Sequence, residues 1–473
     1  MDPTFYRNAA EAVTAPVEEL AFVVAYDPDG KKNDALFVVD LKSNSPTWGR
    51  VVGKVEVPPG QELHHFGWNA CSSAFKHEGH PMEGLERRYL IVPGLRSSNI
   101  FIIDTKPDPR NPKIAKVIPM KELSDKAGYT RPHTIHCGPG GIFMTCLGGP
   151  EGDADGQTGI ALLDHQTFNV VGAWETDHGP QRHSYDAWWH MNKNTLISSE
   201  WAPPSLIENG LDVEALVQHK YGKSLHFWNL DQGKHVQAIN LEEGEQMVLE
   251  VRPTHNPDAT WGFVGVTLST KDLSGSIYLW SCDDDGQWKA DKVINIPAEP
   301  VDDPNKLPPI LRPFGAVPPL ITDIDLSVDD KFLYISCWGT GELRQYDVRH
   351  PSHPILTGSV RLGGVANHTP HPSQPDKPCP GSVQMVEVSR DGRHAYFTPS
   401  LYSAWDDQFY PDGVGNWMAK VNINPEGGME LDPDFFPQGE EFNGLRVHQI
   451  RLQGGDASTD SYCWPSPAVP ARL

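Results

Sequence analysis

A strand–turn–strand unit recurs seven times along this chain, and the recurrence constrains the fold more than any other property of the sequence. The clearest copy runs from Phe332-Leu333-Tyr334-Ile335-Ser336-Cys337 through Gly339-Thr340-Gly341 to Leu343-Arg344-Gln345-Tyr346-Asp347, then through a Pro-rich turn to a third run at 355–360. The other copies pair runs that start at Leu20 and Ala35, Tyr89 and Asn99, Ile142 and Gly159, Thr195 and Ser224, Trp261 and Ser276, and Ala395 and Trp417. Runs of this length, separated by Gly, Pro, Asn and Asp and almost free of helical periodicity, read as strands. A small sheet cannot bury both faces by itself, so such units must stack. Repetition every ~50 to 70 residues in an all-β chain predicts a propeller of four-stranded blades. The expected architecture is one seven-bladed domain over residues 1–473, with 1–19 as an N-terminal extension and 456–473 as a C-terminal tail. Each blade's fourth, innermost strand precedes its repeat. The last of these, around His448, has no repeat after it and should close the ring beside the strand near Leu20, which removes an exposed sheet edge.

Charge and hydropathy narrow the partners. A net charge of -23 and a pI near 5.2, with no cluster of Lys or Arg, oppose binding to nucleic acid or to an anionic membrane surface. Apolar runs such as Leu36-Phe37-Val38-Val39 stop far short of the ~20 residues that a membrane span needs. The start of the chain carries no apolar export signal, so the reading is cytoplasmic as written and periplasmic if the N-terminus is processed. Seven cysteines without a C-x-x-C pair do not make a disulfide framework and suit a reducing compartment. Cys146 and Cys337 lie within apolar strand patterns and are expected to be small buried hydrophobes.

Innermost strands line the central channel of a propeller, so their residues carry the functional information. They include His64-His65, His133-Thr134-Ile135-His136-Cys137, Tyr185-Asp186, Thr254-His255, Thr322-Asp323, Gln384-Met385 and Val447-His448-Gln449. Four of the seven bear a histidine. Imidazoles grouped in one channel repel each other when protonated but share a transition metal readily, copper or zinc rather than magnesium or calcium. His65, His136, His255 and His448 are therefore expected to converge within a few ångströms of one point. Asp186 and Asp323 would orient those rings, carry protons or simply line the channel. His77 and His80, in a polar insertion, and His368 and His371, in a Pro-rich loop, lack this strand context. The aromatic block from Leu401-Tyr402 through Trp405 to Phe409-Tyr410 reads either as core or as the wall of an apolar pocket.

Several long stretches, namely Glu62-Leu63-His64-His65-Phe66-Gly67-Trp68-Asn69-Ala70-Cys71-Ser72-Ser73, Ser199-Glu200-Trp201-Ala202-Pro203-Pro204, His255-Asn256-Pro257-Asp258-Ala259 and Ser400-Leu401-Tyr402-Ser403-Ala404-Trp405-Asp406, resemble the selenium-binding protein family, also known as methanethiol oxidases. The resemblance covers nearly the whole chain. It implies a copper-dependent oxidation of methanethiol by O2 and water to formaldehyde, hydrogen sulfide and hydrogen peroxide. It also implies copper ligands at His64 and His65, at His133 or His136, and at His448; the channel reading adds His255.

Two positions depart from the family pattern. Gly49 stands where vertebrate members carry a selenium-associated cysteine, and Ala74 where many relatives have a second cysteine after Cys-Ser-Ser. Cys71 is a candidate for chemistry because an imidazole or metal nearby would favour its thiolate. It nevertheless follows His65 by six residues, ~20 Å along an extended strand, and is expected to stay off the metal. A non-catalytic metal- or selenium-binding scaffold or carrier is the alternative reading, since fold alone does not fix activity.

Overall fold

The computed structural model describes residues 2–76 and 84–467. The insertion with His77 and His80 lies outside them. Among the described residues, seven four-stranded antiparallel sheets follow one another around a central channel. In blades 2 to 7 the strand nearest the channel comes first in sequence and the outermost last. These inner strands are Gly67–Trp68, Thr130–Gly138, Ser184–His190, Glu245–Pro253, Ile321–Leu326 and Met385–Val388. Blade 1 is assembled from both ends of the chain: Leu20–Tyr26 lies between Asn33–Asp40 and the C-terminal strand Arg446–Leu452. The pairs Ala21↔Leu452, Val23↔Ile450 and Ala25↔Val447 set the register of that closure. Seven blades and the closing strand are as the repeat pattern predicts.

Burial follows strand position. Glu245–Pro253 and Trp261–Ser269, the two inner strands of blade 5, are almost wholly buried, whereas the outer strand Lys234–Asn240 of blade 4 alternates exposed and half-buried residues. Between blades the apolar faces interlock. Phe22, Val24, Leu36 and Val38 of blade 1 pack on Leu90, Val92, Phe101 and Ile103 of blade 2, each side chain contributing about 1.5–3 kcal/mol. Side-chain hydroxyls add a polar stitch: Thr145 Oγ1 donates to the Tyr185 carbonyl of the next blade at 2.6 Å and Ser199 Oγ to Leu249 at 2.5 Å. Cys146 and Cys337 are fully buried, as their strand context predicts.

The two mouths of the channel differ. Where the inner strands begin, the segments 201–223, 297–320 and 399–418 fold across it in an apolar cap that includes the helix Ser403–Phe409. At the other end, the residues expected to form a tail instead turn inward. Asp456, Ser458 and Asp460 are buried, Ala457 N–H bonds the Val388 carbonyl, and Trp188 Nε1–H donates to Ser461 Oγ at 2.8 Å. Asp460 pairs with Arg87 at 2.7 Å with neither side chain exposed, and Arg87 also donates to the Thr4 carbonyl. The N-terminal segment therefore packs on this plug: Phe5, Tyr6 and Ala12 are buried.

Candidate metal centre

Four imidazoles meet at the capped end of the channel. His448 is the third residue of Arg446–Leu452, His133 the fourth of Thr130–Gly138, and His64 and His65 sit on the approach to Gly67–Trp68. All four are buried, and their ring centroids lie close together: 3.5 Å for His64–His448, 4.0 Å for His65–His133, 5.0 Å for His64–His133 and for His64–His65, and 5.5 Å for His65–His448. Adjacent residues share a site here because 62–66 is not a regular strand; Glu62 has a left-handed φ of 52°, which turns the chain before the histidines.

Carbonyl partners fix the tautomers. A carbonyl only accepts, so His64 carries its proton on Nε2, 2.7 Å from the Leu401 oxygen, and His448 on Nδ1, 2.6 Å from the Ser400 oxygen. Their remaining nitrogens are lone pairs. His448 Nε2 and His65 Nε2 are buried without a hydrogen-bond partner among the described residues, and His64 Nδ1 lies 3.0 Å from His133 Nε2. Burial holds the His64, His65 and His133 rings well below the usual imidazole range, with neighbouring imidazoles adding to the effect, and pushes His448 down to about 3. The rings are neutral near neutral pH. Ligand atoms of His64, His65 and His448 all fall within 4.8 Å of one another, whereas nitrogens bound ~2 Å from a common ion would be ~3–4 Å apart. Orphaned ring nitrogens in a buried cluster of neutral imidazoles fit a transition metal, and the all-nitrogen donor set suits copper or zinc.

Two expected members are elsewhere. His136 lies three residues beyond His133 on the same strand, ~10 Å further along, with its ring 4.4 Å from Trp188 and Nε2 3.7 Å from Asp186. His255 follows the end of Glu245–Pro253 instead of leading into it, so it belongs to the opposite mouth. There its Nδ1 meets Asp330 at 2.9 Å and its Nε2 the Ala457 carbonyl at 2.7 Å, leaving no lone pair to offer. The convergence expected of His65, His136, His255 and His448 therefore holds for His65 and His448 and fails for the other two.

The aspartates hold blades together. Asp186 Oδ2 accepts the Val251 amide and Asp323 Oδ2 the Val386 amide, both at 2.8 Å, each from the inner strand of the next blade. Neither has a contact with the four clustered rings. Beneath the imidazoles, Arg252 occupies the centre of an acidic layer, 3.0 Å from Glu250, 3.2 Å from Asp323, 3.3 Å from Asp186 and 3.7 Å from Asp325. Burial raises the Glu250, Asp323 and Asp325 carboxyls despite that guanidinium. Glu250 accepts from Tyr185 Oη at 3.0 Å and comes within 3.8 Å of His65 Nε2. Sequence reading missed Glu250 and Arg252, although two charges in Leu249-Glu250-Val251-Arg252, inside an otherwise apolar inner strand, were a signal.

Cys71 stands apart from the imidazoles. Its Sγ is 3.1 Å from both the Cys137 carbonyl and Ser73 Oγ; burial pushes the thiol up, and hydrogen bonds from the Cys137 thiol and the Ser73 hydroxyl bring it below its ordinary value. Gly49 turns with a left-handed φ of 71°, a conformation that disfavours any side chain there, cysteine included.

Comparison with known proteins agrees with this architecture. The family model for the 56 kDa selenium-binding proteins matches residues 1–463. A Xenopus laevis protein named methanethiol oxidase is 37% identical over 96% of this chain and 97% of its own length, and Arabidopsis thaliana selenium-binding protein 3 is 35% identical over 96% of both. An X-ray structure of a hypothetical selenium-binding protein from Sulfolobus tokodaii superposes with a TM-score of 0.94 at 51% identity, covering 98% of this chain and all of that one. With a seven-bladed ring, a match across nearly its full length and relatives aligned end to end, the chain belongs to the 56 kDa selenium-binding protein family.

Proposed function

We propose that this protein is a copper-dependent methanethiol oxidase, converting methanethiol, O2 and water into formaldehyde, hydrogen sulfide and hydrogen peroxide. The observation that carries the reading is the buried set of imidazoles, with His65 Nε2 and His448 Nε2 unpartnered among the described residues, in a chain 37% identical over nearly its whole length to a relative named for that activity. His64, His65 and His448 would hold the ion, with His133 beside them as a fourth donor. Bound copper would supply a soft acceptor for thiolate sulfur and one-electron exchange with O2.

The chain's own groups do the rest. Ser400 and Leu401 orient two of the rings through their carbonyls, and Thr134 Oγ1 lies 3.0 Å from His133 Nδ1 and 3.3 Å from His65 Nδ1. The aromatic cap excludes water, which strengthens every polar contact beneath it. Copper content and methanethiol-dependent oxygen uptake test the proposal together. Wild-type protein should bind copper and consume oxygen while releasing sulfide, and His448→Ala and His64→Ala should lose both. Copper binding without turnover would favour the carrier reading instead.

A further inference from the structure

Two motifs of the sequence, Ser199-Glu200-Trp201 and Ser400-Leu401-Tyr402, meet over the imidazoles, and each leaves a buried donor unused. Tyr402 is fully buried with its ring 5.5 Å from His64, and Trp201, 2% exposed, packs edge-on against Tyr185 at 5.4 Å; Tyr185 in turn lies 4.7 Å from His133. The two rings approach each other at 6.5 Å. Neither Tyr402 Oη nor Trp201 Nε1 has a hydrogen-bond partner among the described residues. Other large side chains of the cap do have one: Trp405 Nε1 donates to the Ile207 carbonyl at 2.9 Å, Tyr410 Oη to Trp338 at 2.5 Å, and Trp338 Nε1 to Pro399 at 3.0 Å. Leaving a buried donor unpaired is costly, so two side by side next to lone-pair nitrogens call for an explanation.

We infer that Tyr402 and Trp201 are the donors that grip the sulfur of the substrate, a small alkanethiolate held against the imidazole cluster with its carbon end among the aromatic rings. This rests on the proposed function and adds the residues that recognise its substrate. A thiolate only accepts, and the Tyr402 O–H and Trp201 N–H, both without a partner among the described residues, would supply hydrogen bonds it lost on leaving water. Arg96, stacked over the Tyr402 ring at 5.4 Å, is already paired with Glu62, and Glu62 accepts the Ser403 amide at 2.8 Å. That pair fixes the ring without competing for its hydroxyl. The surrounding walls are Tyr185, Met247, Leu249 and Trp405, all buried.

Tyr402→Phe and Trp201→Phe test the assignment, with Tyr462→Phe as control. Tyr462 is a buried hydroxyl equally without a partner, but it belongs to the plug at the other mouth, 5.9 Å from His255. Each of the first two variants should keep its copper; Tyr402→Phe should melt no lower than wild type, because in the ligand-free protein it loses an unsatisfied donor and not a bond, whereas Trp201→Phe also gives up packing of a buried indole and should melt somewhat lower. Each should raise KM for methanethiol roughly tenfold or more, with a smaller change in kcat, as loss of a hydrogen bond to a charged group implies. Anaerobic titration with methanethiol, followed by the copper(II) absorption, should weaken in parallel, and Tyr462→Phe should change none of these. Unchanged affinity in Tyr402→Phe and Trp201→Phe with copper retained would overturn the assignment. A wild type that binds copper and thiol but turns nothing over would sink the oxidase reading and leave the titration to judge the donors. If wild type holds no copper, thiol protection against thermal unfolding decides, and equal protection of all four proteins overturns the pair.

Discussion

Arg252 is the side chain whose loss should be felt most. It pairs with Glu250, Asp186, Asp323 and Asp325, all buried, and its guanidinium also donates to the Val251 carbonyl at 3.0 Å. Replacing it with methionine keeps most of the volume and removes the charge. Breaking one buried ion pair costs about 3–5 kcal/mol, because the partner charge is left in a poorly polarisable interior. With four carboxylates facing one cation, the upper end of that range is expected at pH 8.

The pH dependence makes the reasoning refutable. Burial raises the folded-state values of Glu250, to about 8, and of Asp325, to about 6, above those of the unfolded chain. Groups raised in this way favour folding fully below their unfolded values, and that contribution is lost as pH rises through about 6 to 8. Without Arg252 the carboxyls hold their protons still more tightly, so the loss with rising pH steepens. Near pH 5 most of them are neutral with or without the arginine, and the difference should shrink to the hydrogen bonds and packing, about 1–2 kcal/mol. Urea midpoints of wild type and Arg252→Met from pH 5 to 8, followed by tryptophan fluorescence, measure the trend. A cost below about 1 kcal/mol at pH 8, or one that grows on acidification, would refute it. Arg252→Lys should recover little, since a single ammonium cannot reach several carboxylates in fork geometry.

Other expectations are independent of that layer. Cys71→Ser and His255→Asn should keep their copper, as neither side chain points a donor at the imidazole cluster; loss of metal from folded Cys71→Ser would place the thiol in the site. Glu175 is pushed up to about 7 by burial, accepts from the Ile160 amide at 2.5 Å, and should cost the wild type about 3 kcal/mol as pH climbs from 4.5 through 7, stability being highest on the acid side. Glu175→Gln should flatten that slope, and an unchanged slope would show that the carboxyl ionises freely.

The blades were legible because short apolar runs and Gly/Pro turns are local properties of the chain, and seven copies corroborate one another. Ring closure followed from counting strands. The site was harder to read, since a residue's place along an inner strand decides which mouth of the channel it serves. Pro132↔Cys146 lies far from the hairpin and Gly138↔Gly141 closes it, so His133 and His136 of one motif point to different levels. His255 sits at the hairpin end of its blade and lands beside the plug, a distinction invisible when histidines are assigned only to strands. Tautomers, and the Arg252 layer, depend on partners from other blades: Leu401 for His64, Ser400 for His448, and Asp323 for Arg252. No sequence pattern within one repeat encodes those.

The imidazoles come from blades 1, 2 and 3 only, and this asymmetry bears on how the centre works. A ring of equivalent strands would centre an ion on the axis, yet His448, His64, His65 and His133 belong to three consecutive blades and hold any ion against one wall. The opposite wall is then free for other tasks. Blade 4 supplies Tyr185 and Trp201, blade 5 Glu250 and Arg252, and blade 7 the carbonyls of Ser400 and Leu401 and the ring of Tyr402. Blade 1 is also the seam where the two ends of the chain meet, and His448 lies on the closing strand. An ion shared by His448 with His64 and His65 of blade 2 would bind only the closed ring, so metal affinity adds directly to the stability of the closure. The same residue would thus serve coordination and topology, and a chain that failed to close would fail to bring His448 to His64 and His65.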